Sequence, residues 1–304
     1  MTDGTLPMPA IRSFRLPLAK AAPVVTVLLV IVAIWYAAAI GMNARWERDQ
    51  AARAGTQIAP SQLVLRTLSQ DRPVLPAPHQ VAVGLYDGIA GQKITSRRSL
   101  VWHAWVTLSA TLAGFAIGTA AGSALAIGIV HSRSMDQSVM PWAVASQTVP
   151  ILAIAPMVIV VLSSMGITGL LPKALIAAWL SFFPVLVGMV KGLRTPDAMQ
   201  LDQMRSWNAS RAHVFWFLRL PASLPYLFAS LKVAIAAALV GTIVAELPAG
   251  ATAGLGARLL SGSYYGQTVQ IWAALFTAAA LAATLVAVVA RVERITLRKM
   301  GMQA

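Results

Sequence analysis

The chain has 304 residues, with 24 Lys plus Arg against 10 Asp plus Glu, a net charge of +14, 58% hydrophobic residues and only 11% charged ones. A soluble domain carries about 25% charged residues, so a water-facing globule is excluded, and disordered chains, which are poor in apolar residues, are excluded with it. A bilayer solves the problem, because lipid faces apolar side chains directly.

A membrane span needs roughly 20 mostly apolar residues. Residues 1–20 form a basic N-terminal segment, and 21–42 contain no charge and form the first candidate span. A secretory leader cleaved near Ala37-Ala38-Ala39 is the alternative; the length of the apolar run and the spans that follow favour a retained helix. Residues 43–99 form a long polar loop in which Leu75-Pro76-Ala77-Pro78 is a rigid extended lead-in. After it, 79–94 reads as an amphipathic helix with Val81, Leu85, Ile89 and Tyr86 on its apolar face, suited to the membrane interface. Residues 100–290 hold five more spans, 100–130, 138–162, 170–190, 224–247 and 268–290. A polar loop (191–223) precedes the fifth span, a Gly-rich connector (248–267) follows it, and 291–304 is a basic tail. The fold class is an all-α polytopic membrane protein of about six transmembrane helices.

Six spans place both ends on one side, and the excess of Lys and Arg marks the cytoplasmic one. With the ends inside, the short cytoplasmic segments hold Arg133, Lys191, Arg194, Arg205, Arg211, Arg219 and the tail charges. The eight Lys or Arg of the 43–99 loop oppose this orientation, but the short loops agree on it. The positive excess is thus expected from topology, and nucleic acid is not expected as a partner.

Charges inside a span are costly and are functional suspects. Lys173 and Glu246 are near outer span ends, where they are expected to snorkel or meet water; Lys232 is about two turns into the fifth span and His103 is near the start of the second. Gly114, Gly118 and Gly122 share one face of the second span and admit a close neighbour, either within the chain or in a second subunit. In the third span, Gln147, Thr148 and Pro150, with Pro156 beyond, free backbone carbonyls and offer an amide, as the lining of a polar path would. Glu246 is placed with them as a path candidate.

Several chemistries lack their residues. With no cysteine there is no disulfide, Cys-ligated zinc or thiol nucleophile. There is no phosphate loop, H-E-x-x-H or G-x-S-x-G, and the four histidines have no metal-ligand spacing. An enzyme is not expected, and no metal or cofactor is expected in this chain. An ion-coupled secondary transporter is the main rival, but no internal repeat and no string of acids and histidines supports it.

The 191–223 loop is the most informative segment. Asp202 begins a run in which Arg205 and Ser206 share its helical face. Asn208 suits a left-handed break between two short helices. Ala209, Ser210 and Arg211 open the second, with Ser210 as its cap. Val214, Phe215, Phe217 and Leu218 give an apolar face, and Leu220-Pro221 is expected to end the segment.

This segment resembles the EAA loop of ABC-importer permeases, with Asp202 at the Glu position, Asn208 at the Gly position, Leu218 at the Ile position and Leu220-Pro221 closing the motif. Gln203-Met204 depart from the two alanines. Together with Phe182-Phe183-Pro184 and Gly254-Leu255-Gly256, the resemblance extends over about two-thirds of the chain and is most similar to the nitrate/sulfonate/taurine branch, which also includes permeases for vitamin precursors. It implies a MetI-like permease fold in a bacterial inner membrane and a pathway shared with a second permease subunit, as a homodimer or a heterodimer. It also implies separate ATPase subunits that carry the ATP and dock on the loop, and a periplasmic binding protein that delivers a small solute.

Overall fold

The computed structural model describes residues 18–247 and 251–302, with side chains from residue 22 onward. Most of the expected 1–20 segment and the first residues of the Gly-rich connector lie outside these. The described residues are helical, with no strand, and fall into two compact units, 1–80 and 81–304, each taken by itself.

The first unit is built on α1 (Leu18–Arg53), which outlasts the expected 21–42 span because Arg45, Glu47, Arg48 and Arg53 extend it as a polar helix. Its Val24, Leu28, Leu29 and Ile34 are exposed, as lipid-facing residues should be. Beyond the apolar run, Asn43 is fully buried and holds the following loop. Its amide donates to the carbonyls of Thr67 (3.3 Å) and Leu75 (2.9 Å), and its Oδ1 accepts from the Val74 amide at 2.9 Å. Between these contacts runs α2 (Pro60–Leu68). The lead-in is fixed from the same helix, Trp35 Nε1 donating to the Pro76 carbonyl at 3.0 Å.

The unit boundary falls within α3 (Pro78–Ile89), shorter than the expected 79–94. Val81 is buried and Leu85 packs against Leu100, but Tyr86 and Ile89 are exposed. Gly84 and Gly88 replace them on the packed face, because helix-to-helix approach selects for small residues.

The second unit is centred on α7 (Leu170–Leu193), which packs along α4 (Leu100–His131) on one side and α10 (Leu220–Ala245) on the other. The glycine stripe of α4 is spent within the chain. A Cβ on Gly114 would lie 2.6 Å from the Ala174 carbonyl, one on Gly118 would strike Ser181, and one on Gly122 would lie 2.5 Å from the Phe182 carbonyl. Val185, Leu186, Met189 and Leu193 complete the core from α7. An Arg194–Asp136 ion pair at 2.8 Å ties the end of α7 to the helix after α4.

Two sequence expectations change. The third span is two helices, α5 (Arg133–Ser146) and α6 (Ile151–Ser164), bent by 97° at the Gln147–Pro150 break, because Pro150 disfavours helix at the preceding residue. Among the described residues, five helices are therefore long and apolar enough to cross a membrane, six if the bent pair forms one span. The Gly-rich connector contains α11 (Leu255–Tyr264), and α12 (Thr268–Lys299) carries the last span into the basic tail.

Replacing Gly118 with Val should destabilise the folded chain by about 1–3 kcal/mol or more, because behind the Ser181 hydroxyl the new side chain meets the Ala178 carbonyl and the Phe182 amide, backbone atoms that cannot give way. Gly41→Ala in α1, where nothing lies within 4 Å of the new Cβ, should be neutral or slightly stabilising. Thermal unfolding of the purified variants checks this; equal midpoints would mean that the stripe is not a packing seam.

Candidate functional site

Two places hold residues singled out from the sequence as functional suspects. The first is at the α10–α11 end of the second unit. Glu246 caps α10 and is fully buried, in contrast with the solvated position expected for it. Such a carboxylate must be fully hydrogen-bonded. Lys173 Nζ reaches Glu246 Oε1 at 3.2 Å, and Thr107 Oγ1 and the Gly256 amide donate to Oε2 at 2.9 and 3.0 Å. Lys173 also donates to the Ala253 carbonyl at 2.9 Å. The Leu255 amide donates to Thr107 Oγ1 at 2.9 Å and the Gly254 amide to His103 Nδ1 at 3.0 Å. That amide leaves the ring proton on His103 Nε2, which donates to the Arg97 carbonyl at 2.9 Å. Four of these contacts, through the Ala253 carbonyl and the Gly254, Leu255 and Gly256 amides, tie the start of α11 and the turn before it to α4, α7 and the end of α10. Below them, the hydroxyls of Thr111 and Thr242 lie 3.1 Å apart.

Sequence reasoning named Lys173, Glu246 and His103 singly and missed Thr107 and the pairing. The signal was in the spacing: His103, Thr107 and Thr111 continue upward the same α4 face that carries Gly114, Gly118 and Gly122.

Beside this network lies a cavity of about 700 Å³ lined by α4, α6, α7 and the turn before α11. Its walls are mostly apolar, with hydroxyls from Ser109, Ser163, Thr168 and Thr252, and Lys173 is its one charged lining residue among those described. Glu246 acts from behind this wall. Gln147, Thr148 and Pro150 lie apart from it, exposed at the α5–α6 bend. Lys232, deep in α10, is ion-paired with Glu293 at 2.8 Å.

The second place is the loop before α10. Asp197 opens α8 (Ala198–Ser206) with a reciprocal capping box to Gln200, a cap the sequence reading did not use. Asp202 and Arg205 form an exposed ion pair at 2.8 Å, and the Ser206 hydroxyl turns back to the Gln203 carbonyl. Asn208 has φ 53°, the one positive-φ residue other than glycine among those described. Its left-handed turn lets the Ala209 amide bond back to the Met204 carbonyl at 3.0 Å. Ser210 then caps α9 (Arg211–Val214), accepting from the His213 amide at 3.2 Å. Leu220-Pro221 does not end the segment. The chain passes through a π-turn at Phe215–Arg219, where the Leu220 amide reaches the Phe215 carbonyl, and runs on into α10. This wider turn precedes a proline that tolerates the first turn of a helix. Phe215 packs into the core, whereas Trp216 and Phe217 are exposed, Phe217 stacking on His213.

The family described as "Binding-protein-dependent transport system inner membrane component" matches residues 114–301. The chain belongs to this family. Among its relatives, the riboflavin transport system permease protein RibX of Chloroflexus aurantiacus is 30% identical over 226 residues, 74% of this chain and 80% of that one. The taurine transport system permease protein TauC of Escherichia coli is 27% identical over 208 residues, 68% and 74% of the two chains. The formylaminopyrimidine transport permease protein ThiX of Halalkalibacterium halodurans is 27% identical over 183 residues, 60% and 68%. The chain is thus an ABC-importer permease, a transport subunit.

Gly254 has φ +125°, and a Cβ there would run into the Glu246 carboxylate. Gly254→Ala should therefore cost several kcal/mol through strain and a displaced buried charge. Gly169→Ala, with φ +81° and open space around it, should cost only about 1–2 kcal/mol. Comparing the unfolding midpoints of the two variants checks the buried network, and equal losses would contradict it.

Proposed function

We propose that this permease forms the path of an importer for a small solute, together with a second permease subunit, as a homodimer, in a bacterial inner membrane with both termini cytoplasmic. A periplasmic binding protein delivers the solute, and separate ATPase subunits hold and hydrolyse ATP. A vitamin-precursor-like or sulfonate-, taurine- or nitrate-like solute is the reading that the names of the relatives for riboflavin, formylaminopyrimidine and taurine support. The 700 Å³ cavity beside Lys173 has room for a solute of that size. Gln147, Thr148 and Pro150, exposed at the bend, are suited to line the path where the second subunit meets this one, and Glu246 serves it by holding Lys173.

The observation that carries the coupling role is the left-handed Asn208 between α8 and α9. It turns the chain at the Gly position of the EAA motif, so that α8 stands off the core with Asp202, Arg205 and Ser206 outward. Ala209, Ser210 and Arg211 start the next helix, and Leu220-Pro221 passes the motion into α10. Met199 and Trp207 expose large apolar surface beside the charged pair, as a protein-docking helix does. The exposed Asp202–Arg205 pair is worth at most about 1 kcal/mol, so Asp202 can exchange Arg205 for a basic group on the ATPase.

Co-purification of the tagged permease with its ATPase tests this. Asn208→Gly should keep the ATPase, because glycine holds the left-handed turn without strain. Asn208→Val should lose most of it, the misplaced turn costing about 1–3 kcal/mol, and Asp202→Lys should lose ATPase binding or substrate-stimulated hydrolysis. Equal ATPase recovery with the glycine and valine variants would remove the hinge, and wild-type uptake by Asp202→Lys would remove the carboxylate.

A further inference from the structure

A second cavity, of about 240 Å³, lies where α3, the start of α4, α11 and the start of α12 meet. It is far larger than the roughly 10–15 Å³ that a single water needs. Its lining includes the guanidinium-bearing Arg98 and Arg258, together with Gln270, Gln92 and Asp87. Gly84 and Gly88 leave the room, since side chains there would meet Val269 and Leu100.

Both arginines line the cavity without a side-chain partner among the described residues. Among the described residues neither guanidinium forms an ion pair, and Asp87, though it lines the same cavity, is within pairing distance of neither. Arg258 Nε is buried without an acceptor, and Gln270 Oε1 is buried without a donor. Burial, and then the charge of Arg98, push the Arg258 guanidinium below its ordinary value. Two like charges facing one cavity, with an unfilled donor and an unfilled acceptor, are a site that lacks its anion.

The position says where that anion comes from. Arg98 is two residues before α4, and Arg258 is in the first turn of α11, between the ends of two spans. Span ends are at the level of lipid headgroups. Two arginines and one aspartate leave a single positive charge in the lining, which a headgroup of net charge −1 cancels and a zwitterionic one does not. The buried Gln270 oxygen in addition calls for a hydroxyl donor.

We propose that Arg98 and Arg258 form a binding site for the phosphodiester of an acidic phospholipid, with Gln270 accepting from a hydroxyl of its headgroup. The arginines clamp the phosphate oxygens as charge-assisted donors. The lipid then becomes a strut that joins α3 to α11, beside the turn that Glu246 holds. This site does not depend on the coupling role of the loop before α10.

The test uses the full-length chain purified in detergent, with thermal midpoint and native mass spectrometry of retained lipid as readouts. Phosphatidylglycerol should raise the midpoint by several degrees and be retained. Phosphatidylethanolamine and phosphatidylcholine should do neither. Arg98 is exposed, so Arg98→Gln leaves the fold intact and should lose at least half of the shift, and Arg98→Gln with Arg258→Gln should lose nearly all of it. Arg97→Gln removes the same charge next door, outside the cavity, and should keep the shift. Equal shifts in wild type and Arg98→Gln, an equal loss with Arg97→Gln, or no preference for phosphatidylglycerol over phosphatidylethanolamine would each overturn the site. Reproduction of the shift by free glycerol 3-phosphate would overturn its assignment to a lipid.

Discussion

A single buried carboxylate sets the constraint on which one end of the permease depends. Glu246 has no contact with solvent and is held by an ammonium, a hydroxyl and a backbone amide from three different parts of the chain. Breaking such a pair by removing one partner costs about 3–5 kcal/mol, because the other charge is left buried and alone. The cost falls on the geometry of the turn before α11, which must bring its amides to Glu246, Thr107 and His103 together. Gly254 follows from the same constraint, since no side chain fits between its backbone and the carboxylate.

The helix that supplies Lys173 also forms the body of the core. From Lys173 to Leu193, α7 is wedged between the glycine face of α4 and the small-residue face of α10, with Gly188 against Ser230 and Gly192 against Ser223. Interfaces this close are stiff, because backbone faces backbone and there are few side-chain rotamers to absorb a shift. At its far end the α7 backbone takes a hydrogen bond from Arg219 to the Leu193 carbonyl at 3.4 Å, and the chain enters α8 only four residues after α7 ends. Under the proposed coupling role, a displacement of α8 would pass to α7 and α10, and through Lys173 to the cavity wall. This is the route by which the proposed ATPase partner would act on a cavity at the other end of the bundle.

Much of this was legible in the sequence, and the remainder was hidden for identifiable reasons. Long apolar runs and the Asp202-to-Pro221 spacing are local signals, and the left-handed Asn208 and the Ser210 cap are local consequences of residue type. The Gly114, Gly118 and Gly122 stripe announced a close neighbour but not which one, because a stripe is the same whether α7 or a second subunit fills it. Glu246 looked like a residue at a span end that could meet water, since its partners Thr107 and Lys173 are 139 and 73 residues away. The α5–α6 bend was disguised because two apolar helices with a proline between them have the composition of one kinked span. Pro221 looked like a terminator, because a proline stops a helix unless the preceding turn widens, and the π-turn at Phe215–Arg219 is invisible to a pattern of period 3.6.

The central claim is that Lys173 and Glu246 act as one unit in holding the end of the permease that carries the turn before α11. A double-mutant cycle on Lys173→Met and Glu246→Gln, with unfolding free energies measured in mixed micelles, tests it most directly. Each single substitution should cost several kcal/mol, and the double variant should cost less than the sum by at least about 1 kcal/mol, as coupled buried partners do. Additive losses would contradict the claim.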